Sequence, residues 1–223
     1  MPGHPKALVS WSTGKDSAFA LDQVRRADAV EVVGLVTTLT SSFGRVSMHG
    51  VRESLLDRQI QELGLPCAKV SIPSPCPNDV YEREMAMVLA DARERGVTHV
   101  VFGDLFLRDI RAYREARLAE VSMEGVFPLW LRDTAALARE MLAAGLRATV
   151  TCVDPRRLAP TFAGREFDAT LLQDLPPDVD PCGENGEFHT CATAGPMFRG
   201  PIEVRLGEIV ERAGFVFADL LLE

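Results

Sequence analysis

Ala7 to Leu21 reads A-L-V-S-W-S-T-G-K-D-S-A-F-A-L. Ala7 to Trp11 is a short apolar run that suits a buried strand. Ser12, Thr13 and Gly14 follow as a turn of small residues. Ala18, Leu21 and Val24 then recur at helical spacing, and Asp16 and Ser17 are expected to cap that helix by accepting its free first-turn N–H groups. A strand, a tight loop and a helix N-terminus make an anion site, because the amides point outward and the helix dipole favours negative charge. Lys15 adds a cation to it. The loop is not of the Walker type, since Val9 stands where that pattern needs its first glycine and Asp16 follows Lys15. The dinucleotide fingerprint G-x-G-x-x-G is absent as well.

Downstream the chain alternates strand with helix. Glu31 to Thr38 is a second apolar strand, and Leu39 to Met48 reads as a polar loop. Val51 to Leu63 is helical, ended by Gly64 and Pro66. Ala68 to Ile72 is a third strand, and a long helix opens at Asn78 or Asp79 and closes at Gly96. Val97 to Phe102 is a fourth strand leading to Gly103-Asp104. Asp109 to Val121 is a helix with Arg111, Arg114 and Arg117 on one face, either a solvated stripe or a pyrophosphate grip. This alternation implies an α/β fold with a doubly wound, mostly parallel, Rossmann-like sheet. Ligands in such sheets sit beyond the carboxyl ends of the strands, so the Ser12 loop, Thr37 and Gly103-Asp104 should converge.

After Gly125 the texture changes. Asp133 caps a helix to Ala144, Arg147 to Val153 is a strand, and two short strands, Ile202 to Leu206 and Phe215 to Asp219, follow a proline-rich stretch. The expected layout is a nucleotide domain over residues 1–125 and a smaller C-terminal α+β lobe over 126–223.

Composition narrows the partners. The 223 residues carry 24 basic and 32 acidic side chains, a net charge of −8. That argues against general nucleic-acid binding and against an anionic membrane surface. The first residues hold no apolar signal core, and no run is long enough to span a bilayer. Five cysteines without a C-x-x-C pair point to free thiols in a reducing cytoplasm. A homodimer is left open.

Asp180 to Thr190 reads D-P-C-G-E-N-G-E-F-H-T. Gly183 and Gly186 break any helix, so Glu184 and Glu187 sit on a mobile, glycine-hinged loop. Carboxylates, an amide and a histidine this close together could hold a cation such as Mg²⁺ or ammonium, or act as a base. The same residues also suit a solvated polar turn. Cys182 and Cys191 flank His189, but their spacing fits no common zinc pattern.

S-T-G-K-D-S resembles the S-G-G-x-D-S loop of the ATP pyrophosphatase families, with Thr13 in place of the first glycine. Joined to P-C-G-E-N-G-E-F-H-T, it resembles the diphthine–ammonia ligase family, whose second motif is close to P-C-G-E-G-G-E-Y-E-T. His49, Gly103-Asp104 and Pro128-Leu129-Trp130 fall in matching order, so the similarity spans almost the whole chain. The departures are Asn185, Phe188 and His189. F-G-D-L-F-L-R-D-I-R-A-Y-R-E looks like a bacterial branch, where an acceptor other than the modified histidine of elongation factor 2 is expected.

The resemblance implies a sheet of the adenine nucleotide alpha-hydrolase type and an enzyme that adenylates a carboxylate, releasing pyrophosphate from ATP, and then transfers ammonia. The acceptor would be a protein side chain or a small molecule. Ser12, Thr13, Gly14, Lys15, Asp16 and Ser17 would cradle the phosphates, with Lys15 countering charge on the leaving pyrophosphate and Asp16 helping to hold Mg²⁺. Thr37, Gly103 and Asp104 would line the nucleoside pocket. Glu184 and Glu187 would place ammonia or its base. His49, Arg111, Arg114, Asn185 and His189 would face the acceptor. Two alternatives remain: a tRNA-thiolating relative, with Cys182 as sulfur carrier, and an ATP-binding regulator of similar fold.

Overall fold

A computed structural model describes residues 3–223. Its first sheet holds β1 (Lys6–Ser10), β2 (Glu31–Thr40), β3 (Arg45–Val46), β4 (Cys67–Ile72), β5 (Val97–Val101) and β6 (Glu124–Val126). The parallel pairings give the order β4-β2-β1-β5-β6. The chain therefore moves outward one way from β1 through β2 to β4. It then crosses to β5 and continues the other way. The reversal lies between β1 and β5, and a crevice opens beyond the carboxyl ends of strands at such a point.

Both faces are covered. α1 (Lys15–Ala27) and α2 (Glu53–Leu63) pack on one face, and α3 (Asn78–Glu94) and α4 (Arg108–Glu120) on the other. This explains the near-continuous apolar strands: Ala7 and Val9 feed one core and Leu8 the other. The fold is doubly wound α/β, as the alternation of elements predicts.

A second, antiparallel sheet follows α5 (Thr134–Ala143). It contains β7 (Arg147–Val153), β8 (Phe188–Ala194), β9 (Val204–Arg212) and β10 (Phe215–Leu222), in the order β8-β7-β10-β9, with α6 (Ala169–Asp174) between β7 and β8. Asp133 caps α5 as expected, accepting from the Ala136 amide at 2.7 Å. One continuous buried cluster runs from α1 and α2 into β7, β8 and β10, so the region after residue 125 shares its core with the first sheet.

Several local expectations are corrected. Leu39 to Met48 is not simply a loop. β2 continues to Thr40 and folds back into β3, pairing Leu39 with Val46 and Thr40 with Arg45. Leu39 and Val46 are both buried, and that apolar pair draws the hairpin over the end of β1. Asp16 and Ser17 do not cap α1. Gly14 is its N-cap, the Asp16 carboxylate turns to Lys15, and the Ser17 hydroxyl donates to the Gly14 carbonyl at 3.0 Å. β8 was not anticipated, because its polar residues Thr190, Thr193 and His189 mask a strand in which Phe188, Cys191 and Ala192 are buried. No helix of the described residues is long and apolar enough to cross a membrane.

Candidate functional site

The Ser12–Ser17 loop sits at the reversal point, directly after β1. Thr13 has φ 72°, the left-handed region that a β-branched residue avoids. Its carbonyl is held by two donors, Gln59 Nε2 at 3.0 Å and the Ala192 amide at 2.9 Å. Such strain, typically about 1–3 kcal/mol, persists only where the surroundings over-determine it. The loop thus takes a glycine-type conformation without glycine. Ser12 and Ser17 hydroxyls lie 3.1 Å apart and brace it from within.

Residues 180–192 close over this loop. Lys15 is 1% exposed, and its ammonium binds Asp16 Oδ2 at 2.9 Å and the Cys182 carbonyl. The rings of Phe167 and Phe188 lie 5.5 and 5.3 Å from it. Burial works against this ammonium, but the neighbouring acidic groups outweigh it and keep the lysine protonated. The Lys15 amide, expected to face phosphate, instead donates to Thr190 Oγ1 at 3.1 Å. His49 Nδ1 lies 2.9 Å from the Thr190 carbonyl. A carbonyl only accepts, so Nδ1 carries the proton and Nε2 is left as the acceptor.

A cavity of about 260 Å³ opens beside the loop. Ser12, Thr37, His49, Arg114 and His189 all line it, five of the residues expected from the sequence. Tyr81, Met85 and the Ser47–Met48 turn complete its wall, and these were not anticipated. Its two imidazoles are 4.8 Å apart. Burial lowers His49 to about 4 and His189 to about 3, so both are neutral near pH 7. Arg114 is fixed by Asp104 at 3.0 Å and lies over the Phe102 ring.

Other expected residues stand elsewhere. Gly103 packs on the first turn of α1, where an added Cβ would lie 2.7 Å from the Asp16 carbonyl carbon. Arg111 stacks on Phe127 and Trp130 and pairs with Glu115, outside the cavity. Asn185 donates to Glu187 Oε1, which also accepts from the Asp180 amide. Glu187 is 2% exposed, so this pair organises the loop from inside. The loop is closed by its own hydrogen bonds, Gly183 to Asp180 and Gly186 to Gly183, rather than hinged open.

Glu184 reaches across to the first sheet. Its Oε1 accepts from the Leu105 amide at 2.8 Å and from Phe106 at 3.3 Å. Burial raises its pKa to about 7, the Leu105 amide pulls it down, and the Asp16 charge adds to the rise. A folded-state pKa above the ordinary 4.5 means that the folded protein holds this proton more tightly. The associated stability is complete at low pH and is lost as pH rises through about 7. Glu184→Gln should therefore remove a decline in urea midpoint between about pH 4.5 and pH 7. Parallel pH profiles for the two proteins would refute this.

Among the described residues no group of three or more His, Cys, Asp or Glu side chains is arranged to hold a metal ion. Asp16 Oδ1 is nevertheless buried without a hydrogen-bond partner. One free carboxylate oxygen beside an anion loop fits Mg²⁺, which commonly takes one or two carboxylates and completes its shell with water and substrate phosphates.

Fold and site define a doubly wound α/β protein with a small-residue loop carrying Lys15 at the sheet's reversal point, roofed by a C-terminal glycine-rich turn. Residues 133–218 match the family model described as Diphthamide synthase C-terminal domain. The chain is also similar to the diphthine–ammonia ligase of Danio rerio, 25% identical over 238 aligned residues that cover 94% of this chain and 90% of the relative. The chain is thus similar to a diphthine–ammonia ligase over most of its length and to the diphthamide synthase family model over its C-terminal part.

Proposed function

We propose that the protein is an ATP-dependent carboxylate–ammonia ligase that works through an acyl-adenylate. The observation that carries this reading is the union of its two motifs. Lys15, in the anion loop, bonds the carbonyl of Cys182 in the P-C-G-E-N-G-E loop, across 167 positions of sequence. The family similarity supports an ATP-using ligase.

In this reading the adenosine occupies the cavity beside Thr37, His49 and His189. The phosphates lie by the Asp16 and Ser17 amides, since those of Lys15 and Ala18 are already bonded, within the field of Lys15 and Arg114. Mg²⁺, held by Asp16, would supply charge neutralisation on the phosphates. A carboxylate oxygen of the acceptor attacks the α-phosphorus and pyrophosphate leaves. Neutral His49 and His189 line the reacting end without adding charge. Glu184, with a pKa about 7, takes the proton that ammonium gives up. Ammonia then attacks the acyl carbon, AMP leaves, and the amide nitrogen gives its extra proton to solvent water. The bacterial look of the Phe102–Glu115 stretch favours an acceptor other than diphthine.

With Mg-ATP, ammonium and acceptor the products should be AMP and pyrophosphate. Asp16→Asn keeps an oxygen for Lys15 and should lower AMP formation more than about tenfold with little change in melting temperature. Release of ADP and phosphate, or unchanged turnover in Asp16→Asn, would overturn the proposal.

Cys182 bears on the thiolation alternative. It is 1% exposed, its thiol donates to the Thr134 carbonyl at 3.4 Å, and burial pushes its pKa far up. A buried thiol is a poor nucleophile. Cys182→Ser should keep most activity, and its loss with ATP binding retained would favour sulfur chemistry.

A further inference from the structure

A second cavity, of about 320 Å³, lies on the other side of the β3 turn from the nucleotide cavity. Val46, Ser47 and Met48 line both, so one turn of chain forms the partition. The far walls come from the β2–β3 hairpin and the β9–β10 hairpin. They are apolar: Phe43, Ile72, Val210, Phe215 and Phe217 face inward. Phe43 is 49% exposed and Met48 58%, a large apolar area left uncovered at the mouth.

The charged lining has a sign. Arg45 and Arg212 stand against a single acid, Asp219, in a chain whose net charge is −8. Arg45 and Arg52 already engage Asp219. Arg212 lies 4.9 Å over the Phe43 ring and forms no ion pair among the described residues. An apolar chamber with a surplus cation selects an anionic amphiphile over a cationic one.

We propose that this cavity binds the apolar body of the carboxylic acid that the enzyme activates, with its carboxylate passing the Ser47–Met48 partition toward the nucleotide. The inference rests on the ligase reading for the acid's fate, but the binding itself does not need turnover. It names a substrate class: a small acid with an aromatic or branched body, not a polar acid such as acetate.

The test uses 4-phenylbutyrate as probe, with 4-phenylbutylamine as its charge-reversed counterpart. Methyl resonances of Met48 and Ile72 report binding in the full chain. The acid should shift both and bind about tenfold more tightly than the amine. Val210→Trp, on an outer strand, should fill the chamber and weaken the acid about tenfold or more, while Mg-ATP still shifts the resonances of the nucleotide cavity. Arg212→Ala should bring acid and amine to equal affinity. Should Val210→Trp fold poorly, Phe43→Ala at an exposed position removes a wall and should weaken the acid as well. No shift with the acid, equal binding of the amine to the unmodified protein, or indifference to both wall variants would overturn the inference. Failure of Mg-ATP to bind, with the acid still bound, would count against the ligase reading instead.

Discussion

Gln59→Leu is expected to cost about 2–5 kcal/mol of unfolding free energy, because it strands two buried groups, the Trp11 indole N–H and the Ala192 carbonyl, at about 1–3 kcal/mol each and leaves the Thr13 carbonyl only the Ala192 amide. Gln59 is fully buried on α2. Its Oε1 accepts from Trp11 Nε1 at 2.9 Å, and its Nε2 donates to the Thr13 carbonyl at 3.0 Å and to the Ala192 carbonyl at 2.7 Å. Leucine preserves the bulk and supplies no donor or acceptor, so the loss measures polar satisfaction rather than a cavity. A chain of this length should then melt about 10 °C lower. The Thr13 carbonyl also keeps that residue at positive φ, so the variant should lose nucleotide affinity beyond what the stability change explains. A melting temperature within about 2 °C of the unmodified protein would show that the network relaxes without loss.

The second large effect is at Gly103. A Cβ there would sit 2.7 Å from the Asp16 carbonyl carbon, 2.8 Å from the Ser17 amide nitrogen and 2.9 Å from the Asp16 oxygen. All three are backbone atoms and cannot rotate aside. Gly103→Ala must push the end of β5 away from α1, an overpacking cost of about 1–3 kcal/mol. More telling is the site, because the displaced turn is the first turn of α1. Nucleotide affinity should fall more than about tenfold. Gly200→Ala is the control, since its Cβ would meet only Glu62 Oε2 at 3.6 Å. Calorimetry with Mg-ATP that returns equal affinities for both variants would remove Gly103 from the site.

The parallel strands β1, β2, β4 and β5 were legible because their signals are local: they follow from apolar runs and spacing, as β7 does in the second sheet, and Asp133 announces α5 through the bond it makes. The turn between β1 and α1 was legible for the same reason. The lining of the cavity was only half so. Thr37, His49, Arg114 and His189 carry chemical side chains, whereas Tyr81 and Met85 look like an ordinary helix face until α3 is packed. Gln59 gave no signal, since a glutamine on an amphipathic helix usually points to water. Lys15 was read by type, as a cation for phosphate, yet its direction depends on Cys182, Phe167 and Phe188, far away in sequence. Arg111 was read by spacing alone, and the rings of Phe127 and Trp130 claim it.

The partners of Thr13 and Lys15 include Thr190 and Ala192, which lie more than three-quarters of the way along the chain. Synthesis proceeds from the N-terminus, so the first sheet can assemble on the ribosome while its anion loop still lacks these contacts. Thr13 then has fewer restraints on its unfavourable backbone angle, and Lys15 is solvated. The site becomes complete only when β8 has emerged and docked. A nascent chain of this protein would therefore pass through a stage that has a folded sheet but an unfinished loop, and on the ligase reading its nucleotide site would form only after β8 has been made.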